Sequence, residues 1–318
     1  MAPASVRLPL LGVVVLALAT TACTAVVYRI GIPLLYRHAD LPAEQIVKDV
    51  RYWDGPDADP EKNRLDLFHP LGTGWPVLVF IHGGGWTSGD KDLRAGGADI
   101  YGNVGRFYAS HGIGVAVISY RLQPQVAWPA QVTDVARAVA WVHANVARYG
   151  GDPDTIVLAG HSAGGQFAAR VALDPAPLAA LGVDRRIVKG FVSVSGAALD
   201  LTDDESWRLG QPRGYYETRF RNGDATDGWM REASPVRFIG PDSPPALVIY
   251  AQGDPSDLRR QGQVLARALR AAGVRTETVV VPGSSHTRII LTLSRGDTPS
   301  ARAILEFIAA LAPAAEIR

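Results

Sequence analysis

The segment that most restricts this chain is DTIVLAGHSAGGQFAARVAL, residues 154–173. An apolar run ends in Gly160-His161-Ser162-Ala163-Gly164, and a helical pattern leaves directly from it. G-x-S-x-G between a buried strand and a helix demands a turn so sharp that glycine is needed two residues before and two after the serine. The hydroxyl then projects from the sheet at a helix N-terminus, which favours developing negative charge. This chemistry is nucleophilic acyl transfer, and Ser162 is the candidate nucleophile.

The flanking sequence gives the fold class. NRLDLFHP (63–70) alternates apolar and polar residues like a half-exposed edge strand. PVLVFIHGGGW (76–86), GVAVISY (114–120), VKGFVSVSG (188–196), PALVIYAQGD (245–254) and TETVVVPG (276–283) read as strands, most of them fully buried. Val132, Val135, Val139, Val142 and Val146 recur at helical spacing before Gly150-Gly151 stops the helix. Residues 257–273 and 299–311 read as further helices. The alternation predicts an α/β fold, a mainly parallel sheet covered on both faces, with its site at the carboxyl ends of the strands. Residues 199–240 break the rhythm and are expected to form a lid-like insertion. Within it, Trp207, Tyr215, Tyr216 and Trp229 are read as lid packing or as a substrate entrance, and Asp203-Asp204-Glu205 as a solvated turn.

His82-Gly83-Gly84-Gly85-Trp86 supplies a second element. Acyl transfer builds an oxyanion, and glycines let backbone N–H groups face it unobstructed. The residue after the nucleophile, Ala163, adds another donor. Trp86 is expected either to wall the substrate pocket or to pack the loop.

Together, HGGGW and RYGGDPDTIVLAGHSAGG resemble the hormone-sensitive-lipase-like and BD-FAE-like carboxylesterases of the α/β-hydrolase fold, over about residues 50–312. The resemblance implies an oxyanion hole of Gly84, Gly85 and Ala163, and loop-structural roles for His82 and His161. It also implies the order serine, acid, histidine along the chain. Of seven histidines only His286 follows Ser162, and it sits in PGSSH directly after a strand. For the acid, Asp254 and Asp257 both follow ALVIY. Asp254 is favoured because it lies nearer the strand end, whereas Asp257 reads as the N-cap of the next helix. QGDPSDLRRQ resembles the matching stretch of kynurenine formamidases, where the first aspartate is the triad member. The expected function is a serine carboxylesterase acting on small to medium esters through a covalent acyl-enzyme, needing no metal or cofactor. An arylformamidase-type amide hydrolase and a non-catalytic binding module of the same fold are the alternatives.

The chain of 318 residues suits one such domain, expected over 46–318. With 32 basic against 31 acidic side chains it has no basic excess to favour nucleic acid. Cys23 is the sole cysteine, so no intramolecular disulfide forms. It follows LPLLGVVVLAL (8–18) and ATTA, a pattern that resembles a bacterial lipoprotein signal over residues 1–23. An uncleaved membrane anchor and ordinary signal cleavage near Ala22 or Ala25 are the other readings. All three predict an extracytoplasmic enzyme, with residues 24–45 as a leader or tether.

Overall fold

Strands apolar at consecutive rather than alternate positions are covered on both faces, and they make up most of the central sheet. The computed structural model of the protein describes residues 35–312, so the expectations for Cys23 and its surroundings lie outside the described residues. In chain order the strands are β1 Ile46–Arg51, β2 Arg64–Phe68, β3 Trp75–Ile81, β4 Arg94–Ala95, β5 Ala98–Asp99, β6 Gly114–Ile118, β7 Gly151–His161, β8 Val188–Val194, β9 Ala246–Gly253 and β10 Thr276–Ser285. The helices are α1 Ile100–Ala109, α2 Trp128–Asn145, α3 Ala163–Leu173, α4 Ala176–Ala179, α5 Asp204–Leu209, α6 Arg213–Phe220, α7 Gly228–Ala233, α8 Ser256–Ala271, α9 His286–Leu291 and α10 Pro299–Ala309. Among the described residues no helix is long and apolar enough to cross a membrane.

Apart from the β4–β5 hairpin, the strands form one sheet in the order β1-β2-β6-β3-β7-β8-β9-β10. Its first two pairings are antiparallel and the other five parallel. The period-two geometry of a strand sends successive side chains to opposite faces. Val77, Val79 and Ile81 of β3 accordingly join a core with α2, α3 and α8, while Leu78 and Phe80 join a second core with α1 and α10. The expected α/β-hydrolase architecture is present.

One local expectation is corrected. Residues 64–68 do not form the edge strand, because β1 pairs outside β2 and takes that place. The polar position that mimicked solvent exposure is Asp66, which is buried and satisfied by Lys48 Nζ at 2.6 Å and Lys91 Nζ at 3.0 Å. A charge paired in this way can sit inside. The described part of the leader is also fastened down. Ala39 N–H donates to Asn103 Oδ1 at 2.7 Å, and Asn103 Nδ2 donates to the Arg37 carbonyl at 2.7 Å.

One buried ion pair ties the scaffold to the site. Arg121, just past β6, donates through Nε and a terminal nitrogen to Asp134 of α2 at 2.8 and 2.7 Å, and its own amide adds a third bond at 3.0 Å. Between these two residues, the Gln123 amide and Gln131 Nε2 both donate to the carbonyl of Trp86. Asp134→Ala would leave the guanidinium with only the half-exposed Asp57 carboxylate at 3.2 Å, a loss of up to about 3–5 kcal/mol, the cost of breaking such a buried pair from one side. Urea unfolding should show that loss. A change below about 1 kcal/mol would mean that the pair contributes little.

Candidate active site

Ser162 lies between the end of β7 and the start of α3 with φ +57° and ψ −119°, outside the region comfortable for an L-residue. Its amide donates to the Val194 carbonyl at 3.0 Å, which fixes the turn against β8. A Cβ on Gly164 would fall 2.1 Å from the Ile81 carbonyl oxygen, and one on Gly160 would fall 2.1 Å from the Gly164 oxygen. No side chain fits at either place. The parallel register explains what gathers here. Ile81 pairs with Gly160, His161 with Val194, Val194 with Ile249, and Gly253 with Ser285. The loops after β3, β7, β8, β9 and β10 therefore emerge side by side.

The loop after β3 carries Gly84 at φ +123°, Gly85 at φ +59° and Trp86 at φ +67°. The Gly84 carbonyl is held by the Ser88 amide at 3.0 Å and the Ser88 hydroxyl at 2.8 Å. The amide N–H groups of Gly84, Gly85 and Ala163 find no acceptor among the described residues. Trp86 serves both readings given for it. Its indole N–H donates to Gln166 Oε1 at 2.8 Å, its ring meets Phe220 edge-on at 4.8 Å, and it also lines the cavity over Ser162.

After β9, the buried Asp254 accepts three hydrogen bonds. His286 Nδ1–H reaches Oδ1 at 2.9 Å, while the Ser195 hydroxyl and the Ala251 amide reach Oδ2 at 2.6 and 2.7 Å. Burial alone would raise the pKa of this carboxyl. The bonds from His286, Ser195 and Ala251 outweigh burial and hold it below the usual carboxylate range. Ser195 escaped the sequence reading. Its only signal is a polar residue closing the apolar strand VKGFVSV, at the sheet edge where the other site loops emerge. Asp257 is not an N-cap. α8 starts at Ser256 with Pro255 before it, so Asp257 falls inside the first turn, where it lines the cavity.

His82 and His161 are buried beneath these loops. His82 stacks on Tyr120 with ring centroids 4.2 Å apart, and its Nδ1–H donates to the Gly83 carbonyl at 2.6 Å. His161 Nε2–H donates to the His286 carbonyl at 2.9 Å, fixing the loop that carries the other imidazole. Burial lowers the His82 pKa to about 4. Burial, followed by repulsion from His286, lowers that of His161 to about 3.

Ser162 and His286 open into one cavity of about 330 Å³, with Trp86, Ala197, Tyr215 and Asp257 among its walls. The Ser162 hydroxyl and His286 Nε2 have no hydrogen-bond partner among the described residues, so each is free toward that space. Of the aromatic residues expected at the entrance, Tyr215 and Tyr216 line the cavity. Trp207 packs edge-on against Tyr216 at 5.3 Å, and Trp229 is buried. The acidic run is more than a solvated turn. Asp203 caps α5 through the Ser206 amide and takes Arg260 at 2.5 and 2.6 Å, which holds its pKa down at about 2.

Known proteins are similar to this chain. The pattern of the BD-FAE family matches residues 65–269. Esterase LipQ of Mycobacterium tuberculosis is 32% identical over 238 residues, which cover 73% of this chain and 55% of that protein. Isoprenylcysteine alpha-carbonyl methylesterase ICME of Arabidopsis thaliana is 29% identical, covering 78% of this chain and 58% of the relative. The chain thus spans a little over half the length of these curated relatives. Among solved structures, esterase B from Lactobacillus rhamnosis superposes with a TM-score of 0.70 at 24% identity, covering 95% of each chain. A hyperthermophilic esterase from Pyrobaculum calidifontis gives 0.66 at 25% identity, covering 91% of this chain and 92% of its own.

The two buried imidazoles predict a pH dependence of stability. Unfolded, each titrates near the ordinary value of 6.5, whereas folded they stay neutral until about 4 and 3. Above pH 6.5 neither state is protonated and the full stability is present. Below it the unfolded chain gains protons that the folded chain refuses, so stability is lost as pH falls toward 4. The window lies above the carboxylate range, which assigns it to histidine. The melting temperature should fall by about 5 °C or more between pH 7.5 and 5. A flat profile over that range would contradict the burial argument.

Proposed function

The chain belongs to the BD-FAE family of α/β-hydrolases, and from that membership we propose that it is a serine carboxylesterase acting on small to medium carboxylic esters. The observation that carries the reading is the pairing of Asp254 with His286 at 2.9 Å beside a serine at φ +57°, with serine and imidazole opening on the same cavity. Relatives named as esterases support the same bond type.

In the proposed cycle the ester enters the cavity and its carbonyl carbon meets Ser162 Oγ. His286 Nε2 takes the hydroxyl proton as the C–O bond forms. Negative charge collects on the carbonyl oxygen, facing the unengaged amides of Gly84, Gly85 and Ala163. Each such donor is worth roughly 10²–10³ in rate, because it is already oriented when the charge appears. Asp254 fixes the imidazole tautomer through Nδ1 and stabilises the imidazolium. The imidazolium then gives its proton to the departing alcohol oxygen as the tetrahedral intermediate collapses. Water repeats the sequence on the acyl-enzyme, releasing the acid and restoring Ser162. Ser195 acts through Asp254, holding the carboxylate ionised and aimed.

Hydrolysis of a p-nitrophenyl ester series from acetate to palmitate tests the reading. Wild-type protein should favour the short esters, whose acyl chains a cavity of about 330 Å³ can hold whole. Ser162→Ala and Asp254→Asn should each lower kcat by about 10⁴-fold or more. A folded wild-type protein that cleaves none of the series would overturn it. The pattern ending at Cys23 adds a second proposal, a membrane-tethered location outside the cytoplasm. Labelled palmitate should enter the full chain expressed in bacteria and not its Cys23→Ser variant; equal labelling would count against it.

A further inference from the structure

Asp257 is 5% exposed, yet its carboxylate accepts no hydrogen bond and meets no cation within ion-pair distance among the described residues. It lines the same cavity as Ser162 and His286. Resting on the esterase reading above, we propose that Asp257 sets substrate specificity, its carboxylate receiving a protonated amine or quaternary ammonium carried on the non-reacting part of the ester.

Four observations carry this assignment. A buried carboxylate is costly unless something pairs with it, and a helix start needs no burial to benefit from an acid. Second, the guanidinium groups of the surrounding elements are committed elsewhere. Arg219 donates to the carbonyls of Gly85 and Tyr215, Arg259 to those of Gln252 and Asp254, and Arg260 pairs with Asp203. Third, the lid backbone is pressed onto this carboxylate. A Cβ on Gly210 would fall 2.0 Å from Asp257 Cγ, so only glycine lets the chain after α5 cover it so closely. Fourth, the adjoining walls are the aromatic rings of Trp86, Tyr216 and Tyr215, surfaces that attract cations, and Tyr215 already carries the Arg219 guanidinium on one face at 3.6 Å. Burial and then the charge of Asp257 push the Tyr216 phenol up, so it stays a neutral neighbour.

Charge decides between ligand classes. Among the described residues, the only other ionisable ones lining the cavity are His286, whose positive charge is needed transiently, and the two tyrosines. A neutral hydroxyl offers Asp257 one hydrogen bond and leaves the negative charge uncompensated. An ammonium supplies the hydrogen bond or close contact and the opposite charge together. A substrate carboxylate is repelled.

The test compares esters that differ only in charge. On the alcohol side, butyrylcholine is set against 3,3-dimethylbutyl butyrate. On the acyl side, methyl 6-aminohexanoate is set against methyl heptanoate and methyl 6-hydroxyhexanoate. In at least one set the cationic ester should lead its neutral twin by about tenfold in kcat/KM, as expected of a charge-assisted contact. That ratio should collapse toward one in Asp257→Asn. Parity in both sets, a lead confined to the acyl set that the hydroxy ester matches, or a preference unchanged in Asp257→Asn would overturn the proposal. Calorimetry on Ser162→Ala separates the two readings, since binding there needs no turnover. If that variant binds a cationic ester about tenfold more tightly than its twin while wild type hydrolyses nothing, the esterase reading fails and the cation site stands. If wild type cleaves neutral esters and neither measurement shows a charge preference, the cation site fails and the esterase reading stands.

Discussion

A serine held at φ +57° persists only where the structure around it over-determines the turn, because such a residue costs of order 1–3 kcal/mol. Here three strands supply that constraint. The Val194 carbonyl of β8 accepts the Ser162 amide, while Ile81 of β3 lies where a side chain on Gly164 would have to go. β7 between them delivers the serine. The central strands are buried on both faces, so they cannot shift without opening two cores, and the strained turn inherits their rigidity. The loop after β3 is fixed by the same packing, since Gln166 of α3 bonds both the Trp86 indole and the Ala233 carbonyl of α7.

Beneath the cavity runs a chain of polar contacts in which no member stands alone. Ser195 and the Ala251 amide hold Asp254, Asp254 holds the His286 ring, and His161 holds the His286 backbone. Burial keeps His161 neutral, so the imidazole closest to His286 adds no competing charge. The same low-polarity surroundings that make these bonds strong make an unpaired group expensive. Asp257, buried and unpartnered among the described residues, stands out against this background.

Patterns within single elements were legible in the sequence, and relations between elements were less so. The buried strands, the valine-lined helix and the strand-turn-helix around Ser162 each follow from a local period, and all are present. Asp66 shows where that logic stops. Its position in an alternating strand looks solvent-facing, but Lys48 and Lys91 arrive from distant segments to satisfy it inside. Asp203 looked solvated for the same reason, until Arg260 of α8 packed against it. Asp257 occupies a plausible capping position, and the start of α8 falls two residues too early for that role. Ser195 carried almost no signal, because its bond to Asp254 joins residues far apart in the chain.

By itself the sequence determined the α/β class, the strained serine turn and the glycine loop, because each depends on backbone rules that act over a few residues. It also narrowed the histidine to His286, since chain order is a property of sequence. Only the tertiary structure decided which aspartate meets that imidazole. Asp254 and Asp257 are three residues apart and chemically identical, and what separates them is the end of β9, where one carboxylate turns toward His286 and the other faces the cavity.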